Sequence, residues 1–179
     1  MSNERAARIE SKRKALDLAR RRSHGAEILA EWIAALEEAC GGVVTPANFL
    51  PLEETQELKS KFFNKVKNRT AYFYRYWAPQ AFNDVEMLLR VLSFDVDQME
   101  VVLFSEVDKY TGAVVLPADR VLANARKVWS VVKEDLSITS PDLQHGMCLE
   151  HNFYNESGVY SKEGFYELTA WGALSPKDS

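Results

Sequence analysis

The densest run of reactive side chains is HGMCLEH, residues 145–151, with His145, Cys148, Glu150 and His151. A histidine beside a cysteine has the composition of a nucleophile and its base, and His, Cys and Glu together are metal-ligand types. Both chemistries need convergence. A base must come within about 3 Å of the group it deprotonates, and ligand bonds to zinc are about 2 Å. The segment reads as a strand, so His145, Met147, Leu149 and His151 alternate onto one face and Cys148, Glu150, Asn152 and Tyr154 onto the other. Cys148 then points away from both histidines, which are themselves about 20 Å apart along an extended chain. His24 is the only other histidine. A hydrolase centred on Cys148 or His151 is therefore the third of three readings, and no catalytic residue, metal ligand or cofactor is assigned. The phosphate-loop, dinucleotide, nucleophile-elbow and H-E-x-x-H patterns do not occur. Glu150 and Glu167 lie on the two C-terminal strands and would pair if their register brings them opposite.

A second constellation, KSKFFNKVKNRTAYFYRYW at residues 59–77, interleaves bases with aromatic rings. Nucleic-acid binders need cations for phosphates and flat rings for bases. Lys61, Lys65, Lys67, Arg69 and Arg75, with the N-terminal arginines, carry this alternative reading. A helix here would place Phe62, Phe73 and Trp77 in an apolar stripe and leave the exposure of Phe63, Tyr72, Tyr74 and Tyr76 open. The isoelectric point near 5.5 also contrasts with the values above about 9 usual for a nucleic-acid domain.

The third constellation is acidic. Asp95, Asp97, Glu100, Glu106 and Asp108 cluster before and along a first hairpin, near Tyr110, while Glu150, Tyr154 and Glu167 fall in a last one. Neighbouring hairpins would present one acidic, aromatic-spotted face. Opposite charge speeds encounter and aromatic anchors supply binding energy, so the face suits a basic protein partner.

The elements that must position these groups follow from hydrophobic period. Residues 4–22 hold good helix formers but a thin stripe, chiefly Ile9 and Leu16. Gly25 is expected to interrupt them. A firmer helix follows, with Ile28, Leu29, Trp32, Ile33, Leu36 and Cys40 on one face, and Gly41-Gly42 ends it. After a proline-bearing connection, Leu58, Phe62, Val66, Phe73 and Trp77 predict a third helix from Thr55 to Trp77. Phe82, Val85, Leu88, Leu89 and Leu92 predict a fourth.

The period then changes to two. Met99, Val101, Leu103 and Val107 oppose Gln98, Glu100 and Glu106, and DKYTG leads into AVVLP as a hairpin. One helix is expected over 118–135, then strands at GMCLEHNFY and FYELTAWG. The fold class is α+β: an N-terminal helical half followed by a ββαββ unit with a mostly antiparallel sheet. Residues 1–22 form a basic helical arm and 23–175 a single α+β domain.

The 179 residues, 46% apolar and 27% charged, exclude disorder and a disulfide scaffold. Cys40 and Cys148 form no metal spacing and read as buried free thiols. No apolar run is long enough for a membrane helix, and MSNERAARIESKRKAL lacks the apolar core of a secretion signal. A cytoplasmic location follows as the expectation. The net charge of −4 divides unevenly: eight bases against three acids leave +5 on residues 1–22 and −9 on the rest. Such asymmetry bears on partners rather than fold.

The segment LQHGMCLEHNFYNESGVYSKEGFYELTAWG, residues 143–172, resembles the C-terminal hairpins of small bacterial toxin-immunity proteins. The resemblance implies a cytosolic, catalytically inert α or α+β domain that neutralises a cognate toxin. With the charge layout, it favours a non-enzymatic protein-binding domain, an inhibitor or immunity protein for a basic partner.

Overall fold

A computed structural model describes residues 2–68, 73–77, 82–96, 98–133, 135–154 and 157–175; the side chains of residues 2–4, 73–77 and 163 lie outside that description. Among the described residues six α-helices and six strands follow in order. Helices α1 (Ser2–Cys40) and α2 (Leu52–Lys67) precede β1 (Phe73–Trp77), α3 (Phe82–Asp95) and β2 (Glu100–Phe104). Then come α4 (Asp108–Thr111), β3 (Val114–Pro117), α5 (Ala118–Ala123), α6 (Ala125–Val132) and β4 (Leu136–Thr139). The last two strands are β5 (Gly146–Tyr154) and β6 (Tyr160–Trp171). This is an α+β fold. Its sheet has the order β1-β6-β5-β4-β2-β3, and every neighbouring pair is antiparallel.

Alternation along each strand sorts the residues between two cores. On one face Val101, Leu103, Leu116, Ile138, Met147, Leu149 and Leu168 are buried with Leu36 of α1, Leu89 of α3, Leu122 of α5 and Val128 of α6. On the other, Val102, Phe104, Cys148 and Trp171 are buried with Phe62 of α2. The Phe62 ring sits 5.2 Å from that of Phe104 and 5.5 Å from that of Trp171. Burying such a ring contributes about 2–3 kcal/mol. Four of the five residues of β2 are buried because helices cover both faces of this inner strand. The expected one-sided alternation at 98–107 is therefore replaced by burial on both sides.

Several expected boundaries differ. The helix from Thr55 ends at Lys67, and Phe73–Trp77 is a strand whose register runs from Phe73↔Ala170 to Trp77↔Tyr166. The aromatic residues of 73–77 are favourable in strands, and pairing with β6 satisfies their backbone. The helix expected over 118–135 is two helices that meet at Asn124, with φ −115° and ψ 23° and a side-chain amide that donates to the Arg120 carbonyl at 3.0 Å. Strand β4 pairs between β2 and β5, so the ββαββ unit gains a fifth strand and β1 supplies the sixth.

Gly25 does not interrupt α1, which runs unbroken through it. A Cβ there would lie 2.1 Å from the Tyr110 carbonyl oxygen. The missing side chain lets α1 lie directly on α4. The ring of His24 meets that of Tyr110 edge-on at 4.6 Å. Helix α4 is held from the other side by α2. Lys59 Nζ donates to Asp108 Oδ2 at 2.9 Å and to the Ser105 carbonyl at 3.2 Å. The Ser105 N–H donates to the same carboxylate oxygen at 3.2 Å. Just beyond α4, the Ala113 N–H donates to Thr55 Oγ1 at 2.9 Å.

Two substitutions test this junction. Alanine favours a helix over glycine by about 1 kcal/mol, yet Gly25→Ala is expected to lower stability by about 1–3 kcal/mol through overpacking. An increase in the urea midpoint would refute the close approach. Lys59→Met leaves a buried carboxylate without its cation and is expected to cost about 3 kcal/mol or more, read in the same titration.

Candidate functional site

Strand β5 places the reactive residues of the C-terminal segment. Cys148 is fully buried between Ser137 of β4 and Thr169 of β6, its Sγ 3.3 Å from Ser137 Oγ. Burial pushes the thiol far above its ordinary value, and the nearby Glu150, Asp135 and Glu167 carboxylates raise it further against the opposing Ser137 hydrogen bond. A thiolate is strongly disfavoured there, so Cys148 is a packing residue. Cys40 behaves alike: burial raises it from 9.0 to about 11 despite the nearby Arg120 guanidinium.

The histidines stand elsewhere. His151 stacks on Tyr166 at 4.9 Å and 22° on the opposite face of the sheet from Cys148. Gly164, with φ +82°, makes room for it, since a Cβ there would meet His151 Nε2 at 2.0 Å. His145 precedes β5 in a turn, and its Nδ1 accepts from the Ala173 N–H at 3.0 Å. Among the described residues no group of three His, Cys, Asp or Glu side chains is arranged to hold a metal ion.

The acidic constellation separates into three environments. Asp95, Glu100 and Glu106 are exposed. Asp108 is buried against Lys59 and belongs to the α2–α4 junction rather than an outer surface. Glu150 and Glu167 do face each other in register, as the pairing of β5 and β6 requires. Glu167, however, is only 4% exposed and accepts from Asn152 Nδ2 at 3.2 Å. Tyr110 is half-buried beneath the Lys109 ammonium, 5.1 Å from its ring centroid. Tyr154 is exposed and pairs with Tyr160 at 5.3 Å near the end of the last hairpin. The two hairpins are not neighbours, because β4 lies between β2 and β5. Asp97 lies outside the described residues.

The basic constellation divides between the fold and the surface. Lys61 pairs with Glu57 at 2.6 Å. Lys65 donates to the Leu143 carbonyl at 2.9 Å, with its ammonium 5.8 Å from the Trp171 ring centroid. Lys67 is exposed at the end of α2. Arg69 and Tyr72 lie outside the described residues. Arg75 is on β1 opposite Leu168, and its side chain, with those of Tyr74 and Tyr76, lies outside the description.

Three concavities border these elements. A groove of about 610 Å³ between α1, α2 and α4 is lined by both signs of charge, including Lys14, Asp17, Arg21, Glu53 and Lys59. A groove of about 480 Å³ runs between α1 and α6 past Trp32, Glu106 and Val131. A smaller aromatic cleft of about 300 Å³ is formed by Phe82, Trp129, His151 and Tyr166. Arg126 already covers the Phe82 ring at 4.3 Å and is itself bonded to Glu86 and Asn83.

The feature that the sequence reading missed is on α3. Its inner stripe of Val85, Leu89 and Leu92 is buried as expected, but Met87, Val91 and Phe94 are 63%, 56% and 79% exposed. Their spacing of four and three residues places them on one outer face of the helix. Asp84 and Asp95 lie one turn from Met87 and Val91, and Glu100 begins the adjoining strand. The available signal was apolar residues on both sides of one helix.

The profile of the YxiF protein family matches residues 42–160. The chain belongs to the YxiF family. The matched span runs from α2 through β5 and includes the exposed α3 face, whereas α1 precedes it. No curated protein and no solved structure matches the sequence. Among the described residues no helix is long and apolar enough to cross a membrane.

The two thiols give a pH test. The unfolded chain releases thiol protons near pH 8.5, while the folded chain holds them to higher pH, about 11 for Cys40. Their contribution is fully present below the unfolded value and is lost as pH rises through the folded one. Urea midpoints should therefore fall between about pH 8 and 11, and Cys40→Ala with Cys148→Ala should flatten the fall. Parallel slopes would contradict the assignment.

Proposed function

We propose that this chain is a cytoplasmic, non-enzymatic domain that binds a basic protein partner through the outer face of α3 and the adjoining start of β2. The observation that carries the reading is the exposed row Met87, Val91 and Phe94 beside Asp84, Asp95 and Glu100. Contiguous exposed apolar side chains rimmed by polar groups mark interaction surfaces. Phe94 offers the kind of large anchor that dominates interface energies, and the carboxylates steer a cationic surface onto it. Of the acidic residues read from the sequence, Asp95, Glu100 and Glu106 are exposed, while Asp108 and Glu167 are withdrawn into the fold. The resemblance of the C-terminal hairpin to toxin-immunity proteins favours a toxin as the partner and inhibition as the role. A buried, protonated Cys148 on the face opposite His151 supports a binding domain over a hydrolase.

Affinity capture from the source lysate tests the surface. The wild-type chain is expected to retain a basic polypeptide, and Phe94→Ser or paired Asp95→Lys and Glu100→Lys should reduce that retention at least about tenfold, a loss of about 1.4 kcal/mol. Equal retention by all three chains would overturn the mapping.

A further inference from the structure

Helix α1 carries a second unpartnered stripe. Residues 5–17 are exposed, about 20 Å of helix of which only Lys14 and Asp17 border the groove against α2 and α4. Ile9 and Leu16 are 45% and 55% exposed and seven residues apart, so they share a face. Arg5, Lys12, Arg13 and Arg20 lie three or four residues from one or both of them and therefore flank that face. Among the described residues these four bases make no ion pair, whereas Lys14 pairs with Glu10, Arg21 with Asp17 and Arg22 with Glu53. A helix of this length is marginal in water without something to pack on.

The occupant that fits is already in the molecule. The α3 face is likewise apolar but bordered mainly by acids: Asp84 and Asp95 lie along one side of Met87, Val91 and Phe94, and Arg90 along the other. A single chain cannot join the two, because α1 is unbroken from Ser2 to Cys40 and its C-terminal half is packed in the core. We propose that the arm of one copy docks on the α3 face of a second copy, and the reverse, in a two-fold dimer. The two contacts are then equivalent and the assembly closes. This inference rests on the reading of α3 as the partner surface and adds its regulation: self-association covers that surface until a basic partner displaces the arm.

Sedimentation equilibrium of the full chain tests it. The wild type is expected at twice 20.4 kDa in about 0.05 M salt and to shift toward the single-chain mass in about 1 M salt, where screening is nearly complete. Lys12→Glu with Arg13→Glu should give a monomer, as should Asp84→Lys with Asp95→Lys. Mixing these two variants should restore a dimer, because each reversed arm then meets a reversed α3 face. A folding defect would not produce that rescue. A monomeric wild type at low salt, dimers that persist in either variant alone, or a mixture that stays monomeric would each overturn the proposal. A monomeric wild type that retains a DNA duplex on a filter at low salt would assign the arm to phosphate instead. Phe94→Ser separates the two readings. Lost capture with a monomeric wild type removes self-docking alone, and unchanged capture with a dimeric wild type removes the partner surface alone.

Discussion

A carboxylate shielded from water must be neutralised where it stands, and Asp108 sets that demand at the centre of this fold. Its partner, Lys59, reaches across from α2, and the Ser105 N–H adds a second donor. Together they fix α4, a helix of only four residues with little intrinsic stability. On that fixed turn α1 rests at Gly25, and from it β3 departs to close the hairpin with β2. Replacing the pair with apolar residues of matched shape need not weaken a protein, but removing one partner does. One of the two seats of the longest helix, that on α4, thus depends on an electrostatic contact that none of its own residues makes; the other is the main core beside α6.

The helices were legible where burial is one-sided. The inner stripe of α3 appears in the sequence because one face meets a core, whereas β2, enclosed on both faces, shows only as a short apolar run. What stayed hidden has physical causes. Residues 73–77 continue the apolar spacing of α2, so Phe73 and Trp77 fit a helical wheel even though strand pairing with β6 claims them. Leu136–Thr139 is a four-residue strand buried on both faces, too short and too uniformly enclosed to show alternation. Gly25 reads as a helix breaker until Tyr110 is seen to press against it. The acids were visible as a cluster, but only packing distinguishes Asp108 and Glu167 from Asp95 and Glu100.

The arrangement also explains why net charge alone misleads. Within the basic stretch at 59–67, Lys59 and Lys65 are held by the fold, on Asp108 and the Leu143 carbonyl, while Lys61 pairs with Glu57 on the helix surface. Exposed bases line the arm, and acids border one side of the exposed apolar row on α3. A surface of that kind supplies orientation through charge and adhesion through area, which are separable contributions.

The junction at α4 also bears on the order of assembly. Its stabilising bonds join residues 46, 49 and 58 positions apart, and closing such loops is slower than forming local structure. The seat of α1 on α4 forms only once they exist. On the ribosome α1 is made before the sheet, so its apolar flank of Trp32, Ile33 and Leu36 must wait for the strands that cover it. A helix made early thus finds its place late, and during that interval its uncovered flank is an aggregation hazard for the nascent chain.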